Sequence, residues 1–297
     1  MTTVYAFVNT IRNEHPVEQI CKLMHISRSS FYEWSKKSTY QIKANSIIME
    51  QKVIAVFKQN KRRYGARRVR AELGSQKVQA SIYEVRKHLR ANALNAIQPR
   101  SFVPKTTNSR HPYMISPNHL RDKDFPEVIN QVWVGDITYI PMVEGKFRYL
   151  SVWMDLCSRK IVGWDLQDHM RESLVTTSLN KALRARKIST GLLIHSDRGG
   201  QYAGAKFRQI LEGRTLTQSM SDADNPYDNA HMESFFSRFK AELMEGGAFQ
   251  DAEDSHSEIF EYIEMYYNPS RLHSSIGYLS PNNFENQLES HANKTNN

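Results

Sequence analysis

The chain has 297 residues, 40% hydrophobic and 24% charged, an ordinary globular balance with length enough for more than one domain. No run approaches the ~18 apolar residues of a membrane helix, and the N-terminus lacks the basic start and apolar stretch of a secretory signal, so no membrane association and a cytoplasmic location are expected. Net charge is +9, unevenly spread: residues 1–130 hold 23 Lys and Arg against 9 Asp and Glu, and residues 131–297 hold 17 against 22. A basic front half joined to a mildly acidic back half suggests a nucleic-acid-binding region attached to a different kind of domain. Cys21 and Cys157 form no CxxC pair and have no His at metal-ligand spacing, so both are expected to be reduced thiols.

In chain order, residues 1–42 contain PVEQICKLMHISRSSFYEWS (16–35). An apolar-periodic stretch, Val17 to Met24, is followed by a short turn and by Ser27, a good N-cap for a second helix. The layout is that of a helix-turn-helix, whose second helix lies in a DNA groove; an ordinary helical hairpin is the alternative. In the first case Arg28, Ser29 and Tyr32 face DNA, along with Ser27. Residues 43–97 form a second helical module. KRRYGARRVRAEL (61–73) packs six basic residues into the ten from Lys61 to Arg70, which favours phosphate contact by Arg62, Arg63, Arg67, Arg68 and Arg70 over a merely solvated face. Gly65 marks a helix boundary. SIYEVRKHLRANAL (81–94) is an amphipathic helix whose Ser81 and Glu84 have capping-box spacing. Residues 98–130 are rich in Pro, Asn, Ser and Thr without periodicity and read as a linker.

The pattern changes at 131. VWVGDITYIP, KFRYLSVWMDL (146–156) and KIVGWDLQ (160–167) read as three strands joined by short turns, hence antiparallel. A helix over 171–187, a buried strand GLLIHSD (191–197), a helix over 203–212, a strand TLTQSM (215–220) and helices over 229–244 and 257–268 follow. The order β-β-β-α-β-α-β-α predicts a mixed sheet covered by helices over 131–290, with 291–297 as a disordered end.

Three carboxylates occupy unusual places in this pattern. Asp136 lies mid-strand between apolar neighbours, where Asp is disfavoured. Asp197 ends the fourth strand and precedes a Gly-Gly turn, where backbone can approach a substrate closely. Glu233 lies on the helix after the fifth strand, sharing one face with Ser237 and Lys240. Brought together, three carboxylates repel unless a cation joins them, and hard oxygen ligands favour Mg²⁺ or Mn²⁺ over zinc. NPYDNA (225–230) is a rigid polar turn leading into that helix, with Asp228 or Asn229 as its cap.

VWVGDITYI, HSDRGGQY (195–202), SMSDADNPYDNAHMESFFSRFKAEL (219–243), YYNPSRLHSSIGYLSPNNFE (266–285) and the upstream YGARRVRAEL together resemble the OrfB-type transposases of the insertion-sequence-three family, whose catalytic domain resembles retroviral integrases. The resemblance covers nearly the whole chain and implies an α/β protein, with an N-terminal all-α helix-turn-helix region followed by an RNase H-like mixed-sheet catalytic domain. The family's DDE triad has 35 residues between its second Asp and its Glu, as do Asp197 and Glu233 here. Departures are small: Gly135 stands where Thr is often found, and Gly200 where Ser is common.

Carried over, the resemblance makes Asp136, Asp197 and Glu233 the catalytic and metal-binding residues of a bacterial DNA transposase. They would hold two Mg²⁺ ions, with Mn²⁺ as substitute, one activating water or a DNA 3′-hydroxyl and one stabilising the leaving 3′ oxygen. The products are a nicked element end and then a joined strand, without ATP. Lys240 would steady a phosphate near the cut, with Arg198, Asn225, Tyr227 and Asn229 as further DNA contacts; Arg271 and His273 are either DNA contacts or packing residues. The implied partners are double-stranded DNA (element ends and target), a homo-oligomer on DNA at the bacterial nucleoid, and, in members made by frameshifting, an upstream fused protein. A non-catalytic DNA-binding regulator and an RNase H-like nuclease that hydrolyses without joining are the rival readings; the intact triad disfavours the first and the end-reading modules the second.

Overall fold

The computed structural model describes residues 2–36, 44–99, 113–121, 124–188, 191–222, 229–244 and 247–295. The chain starts with three short helices, α1 (Thr2–Ile11), α2 (Val17–Leu23) and α3 (Arg28–Ser35), packed around Tyr5, Val8, Ile20, Cys21 and Phe31. Ser27 caps α3 as expected, its hydroxyl accepting from the Ser30 amide at 3.4 Å. The sequence leaves α1 unannounced: it is rich in β-branched Thr and Val, weak helix formers, and burial of Tyr5 and Val8 holds it in place.

The second module comprises α4 (Ala44–Gln59), α5 (Ala66–Ser75) and α6 (Ile82–Ala91). Its core is Val53, Val56, Phe57, Tyr64, Val69, Leu73, Val85 and Leu89. Gly65 sits at the N-cap of α5, and Ser81 and Glu84 close a reciprocal capping box on α6, which satisfies two of its unpaired amides.

The sheet comprises β1 (Val132–Pro141), β2 (Phe147–Asp155), β3 (Ile161–Gln167), β4 (Leu193–Ser196) and β5 (Thr217–Met220) in the order β3-β2-β1-β4-β5. The first three pair antiparallel, and β4 and β5 join parallel to β1. Helices α7 (Glu172–Ala185), α8 (Gly200–Ala203) and α9 (Ala205–Glu212) bury Val175, Leu179, Tyr202 and Phe207 against Trp133 and Trp153 on one face. On the other, α10 (Ala230–Leu243) and α11 (Ala252–Phe260) bury Met232, Phe235, Phe239 and Ile259 against Val134, Val152 and Leu193. Gly135 answers to this packing: a Cβ there would fall 2.3 Å from the Trp153 ring, so a Thr does not fit beside this tryptophan.

Exposed edges need protection, and both sheet edges have bonded neighbours. Residues 113–121, within the stretch expected to be a linker, run along the outside of β5: the Met220 amide donates to the Pro117 carbonyl at 3.3 Å and the His119 amide to Ser219 Oγ at 2.9 Å. At the β3 edge the Asn268 side chain acts as a strand, accepting from the Ile161 amide at 2.9 Å and donating to its carbonyl at 3.0 Å.

Two boundaries differ from expectation. The helix expected over 257–268 begins earlier, where Asp251 caps α11, and continues as a π-helical stretch, Glu261–Tyr267. Of the end expected to be disordered, 291–297, residues 291–295 belong to α12 (Pro281–Thr295), and 296–297 lie outside the described residues. Glu285 anchors that helix through a bidentate bond with Arg186, both contacts 2.7 Å. Among the described residues no helix is long and apolar enough to cross a membrane. Both cysteines are buried and unpaired.

Candidate active site

Strand register brings the two aspartates together. In the parallel ladder Gly135 pairs with Ser196, so one step further sets Asp136 beside Asp197 on neighbouring strands, which lie about 4.8 Å apart. Asp136 shares its alternation with Val132 and Val134, whose side chains enter the core beneath α10, and α10 packs against β1 on that face. Glu233 stands in the first turn of α10.

The electrostatics record this convergence. Burial first, then Asp197 and Glu233, raise the Asp136 carboxyl well above the ordinary carboxylate range, opposed by the Ile137 amide and Lys240. Ile137 donates to Asp136 Oδ1 at 2.8 Å, and Gly199 to Asp197 Oδ1 at 2.9 Å. Glu233 is exposed, and among the described residues no three His, Cys, Asp or Glu side chains stand close enough to share an ion. The donor set is hard carboxylate oxygen, which fits Mg²⁺ or Mn²⁺. Adjacent His195 does not join it, since its two ring nitrogens contact Ser219 Oγ at 2.8 Å and Ser221 Oγ at 3.1 Å.

Lys240 reaches the same place. Its ammonium lies 4.4 Å from the centroid of the Tyr139 ring, and burial lowers its pKa while Asp136 opposes the fall. Arg198 instead holds the chain after β4 against the end of β5, donating to the Ser221 carbonyl at 2.6 Å and pairing with Asp222 at 3.5 Å. Asn229 is buried at the N-cap of α10 without a side-chain cap bond. Asn225 and Tyr227 lie outside the described residues.

The basic helices divide by side. On α3, Arg28, Ser29 and Tyr32 share an exposed surface, with Arg28 3.3 Å from Glu18. In the second module Arg62, Arg67 and Arg70 are exposed, and the last donates to the Ala80 carbonyl at 3.1 Å. Arg63 and Arg68 face the protein. Arg63 lies 4.3 Å from the Tyr266 ring centroid, and Arg68 donates to the Leu272 carbonyl at 2.9 Å. The sequence reading found α6 but named no DNA contact on it, although its exposed side carries Tyr83, Arg86, Lys87 and Arg90. Its signal was available: α6 follows α5 as the second helix of the pair, the one that enters a groove.

Arg271 and His273 are packing residues. Arg271 makes a buried bidentate pair with Glu242, at 2.7 and 3.1 Å. His273 accepts from Arg271 at 3.4 Å and stands edge-on to Tyr267, 4.9 Å between centroids.

Comparison with known proteins fits this anatomy. The integrase core domain family matches residues 127–226, a second integrase core domain family matches 233–288, and an HTH-like domain family matches 43–102. Transposase InsF for insertion sequence IS3A of Escherichia coli K12 is 36% identical over 95% of this chain and 98% of its own length. The transposase for insertion sequence element IS904 of Lactococcus lactis is 37% identical over 80% of this chain and 93% of its own. Among solved structures, the catalytic core domain of HTLV-2 integrase in complex with magnesium is 14% identical, with a TM-score of 0.36 over 48% of this chain and 88% of that one.

Proposed function

The chain belongs to the IS3 family of insertion-sequence transposases, and we propose that it nicks the ends of such an element and joins the freed 3′ ends to DNA at Asp136, Asp197 and Glu233. Membership makes it a polynucleotidyl transferase built from a helix-turn-helix-like region and an integrase catalytic core. The observation that carries the assignment of the centre is the register that sets Asp136 beside Asp197 under the helix bearing Glu233.

Asp136, Asp197 and Glu233 would hold the divalent ions, Mg²⁺ or Mn²⁺. Bound there, such ions supply Lewis-acid stabilisation of both the attacking and the leaving oxygen at phosphorus. The carboxylates would hold such ions against the scissile phosphate, and Asp136 is fixed for this by the Ile137 amide. Lys240, held over Tyr139 beside Asp136, presents a cation to the phosphate oxygens. A labelled duplex carrying an element end, incubated with Mg²⁺, separates the alternatives on a denaturing gel. Wild type is expected to nick and to join, and Glu233→Gln to bind DNA and do neither. Nicking without joining would favour a nuclease; an active Glu233→Gln would remove Glu233 from the centre.

DNA ends would be read by the exposed sides of α3 and α6. Each phosphate contact by α6 adds to the salt dependence of binding. Lys87→Ala is therefore expected to lower the slope of log affinity against log salt by about 0.9 if it meets one phosphate. Arg63→Ala is expected to leave the slope unchanged, because that guanidinium lies against Tyr266. Salt titrations by fluorescence anisotropy read both, and equal slopes would reverse the assignment of faces. Joining two ends implies a dimer or larger assembly on DNA in the bacterial cytoplasm, at the nucleoid, and an upstream fused protein is a further expected partner.

A further inference from the structure

The C-terminal segment after α11 touches three parts of the molecule at once. Asn268 pairs with the edge of β3. Two residues on, Tyr64 donates its hydroxyl to the Ser270 carbonyl at 3.2 Å and accepts from the Leu272 amide at 3.0 Å. Arg68 donates to the Leu272 carbonyl at 2.9 Å, and the Leu272 side chain packs into the core of the helical module. Between these contacts, Arg271 pairs with Glu242 on α10, to which Tyr262 also donates at 2.9 Å. The segment therefore binds the basic module with one set of atoms and the helix of Glu233 and Lys240 with the next.

Tyr64 is 1% exposed, and its hydroxyl has its donor and its acceptor role both taken by the segment's backbone. Both bonds come from one three-residue stretch of backbone, so with Arg68 they fasten the module to the segment at defined points. Away from these contacts the module shows Arg67, Arg70 and the outer side of α6 to solvent. A DNA end held on that exposed surface is thus linked to α10 through the segment.

The geometry points to Tyr64 and Arg68 as positioning residues that seat the basic module on the C-terminal segment and so determine which phosphodiester of a bound end reaches the Asp136–Asp197–Glu233 centre. This rests on the transposase reading above. The seating acts on register rather than on affinity, because neither residue faces the DNA side, and small misplacement of a reacting group costs about 100-fold in rate.

The test uses the full chain, an end-labelled duplex carrying an element end, and Mg²⁺. Tyr64→Phe keeps the ring and removes only the hydroxyl; Arg68→Met keeps the stem. Both are first checked for folding by circular dichroism. The expected result is a duplex affinity within about twofold of wild type. Cutting at the wild-type phosphate falls about tenfold or more, and cleavage spreads to neighbouring phosphates. A merely structural role would lower the melting temperature and leave the cut position sharp. Wild-type cutting at a single phosphate with both variants cutting there at the wild-type rate overturns the proposal alone. A wild-type chain that binds the end and never cuts overturns the transposase reading and the proposal with it. Loss of cutting in both variants with no displaced cleavage and weakened binding also overturns it, since affinity would then be what they serve.

Discussion

Asp136→Asn is expected to lower DNA cutting by roughly 10²–10³-fold, on the scale of losing one preorganised charge-stabilising group, and at the same time to raise thermal stability. The two effects have one cause. Burial and the proximity of Asp197 and Glu233 hold the Asp136 carboxyl well above its ordinary range, so its charged form is disfavoured in the folded chain. For an acid raised in this way, stability is greatest at low pH and falls as pH rises through the folded value. Asn removes that charge, is of similar size and still accepts from the Ile137 amide, which now donates to Asp136 Oδ1 at 2.8 Å. The variant should therefore melt higher than wild type at pH 7–8, by about 2–4 °C for each kcal/mol relieved, and the gap should close towards pH 4. Added Mg²⁺ should raise the wild-type melting temperature by mass action and the variant's by much less. Melting curves with and without Mg²⁺ across pH check this. A variant that melts lower than wild type at pH 7 and keeps the full Mg²⁺ shift would take Asp136 out of the centre.

The legibility of this site in the sequence follows from what period and spacing encode. Alternation of side chains announces the strands, and short joints announce the antiparallel trio, so the sheet and the strand bearing Asp136 were readable. The capping residues Ser27 and Ser81 were readable because a cap is a local contract between a side chain and the next turn. What spacing does not encode is which side of a basic helix turns inward. Arg67 and Arg68 are neighbours in one run, yet Arg67 is exposed and Arg68 binds the Leu272 carbonyl; only contact with a residue some 200 positions away separates them. The same holds for 113–121, whose aperiodic sequence reads as linker because it bonds to β5 rather than forming an element of its own. Asn268 mimics a strand without lying in one. Helix α1 was invisible because tertiary burial, not propensity, forms it.

Arg271→Ala is expected to cost about 3–5 kcal/mol, the penalty of leaving a buried partner charge uncompensated. Arg271 and Glu242 are 2% and 6% exposed and share two short contacts. Against the effect of burial, Arg271 and the Tyr262 hydroxyl hold Glu242 below the usual carboxylate range. A carboxylate depressed in this way lends stability above its unfolded value, and that stability is lost as pH falls through the folded one. Without Arg271 burial prevails and Glu242 takes up a proton more readily, so the deficit of the variant should be largest near pH 7 and shrink towards pH 4. The loss should not be repaired by Lys, which cannot reproduce the planar bidentate fork. It should be repaired in large part by Arg271→Leu with Glu242→Leu, because well-packed apolar groups replace a buried pair at little net cost. The Tyr262 hydroxyl then lacks its acceptor, a further ~1–3 kcal/mol that Tyr262→Phe should restore. Urea denaturation gives the order: wild type near the triple variant, then the double, then Arg271→Ala lowest. A single variant as stable as wild type would mean that the pair is not holding α10. If the triple variant regains stability and cutting together, the ion pair serves only to fasten α10. If it regains stability while cutting stays low, the pair also sets the placement of Glu233.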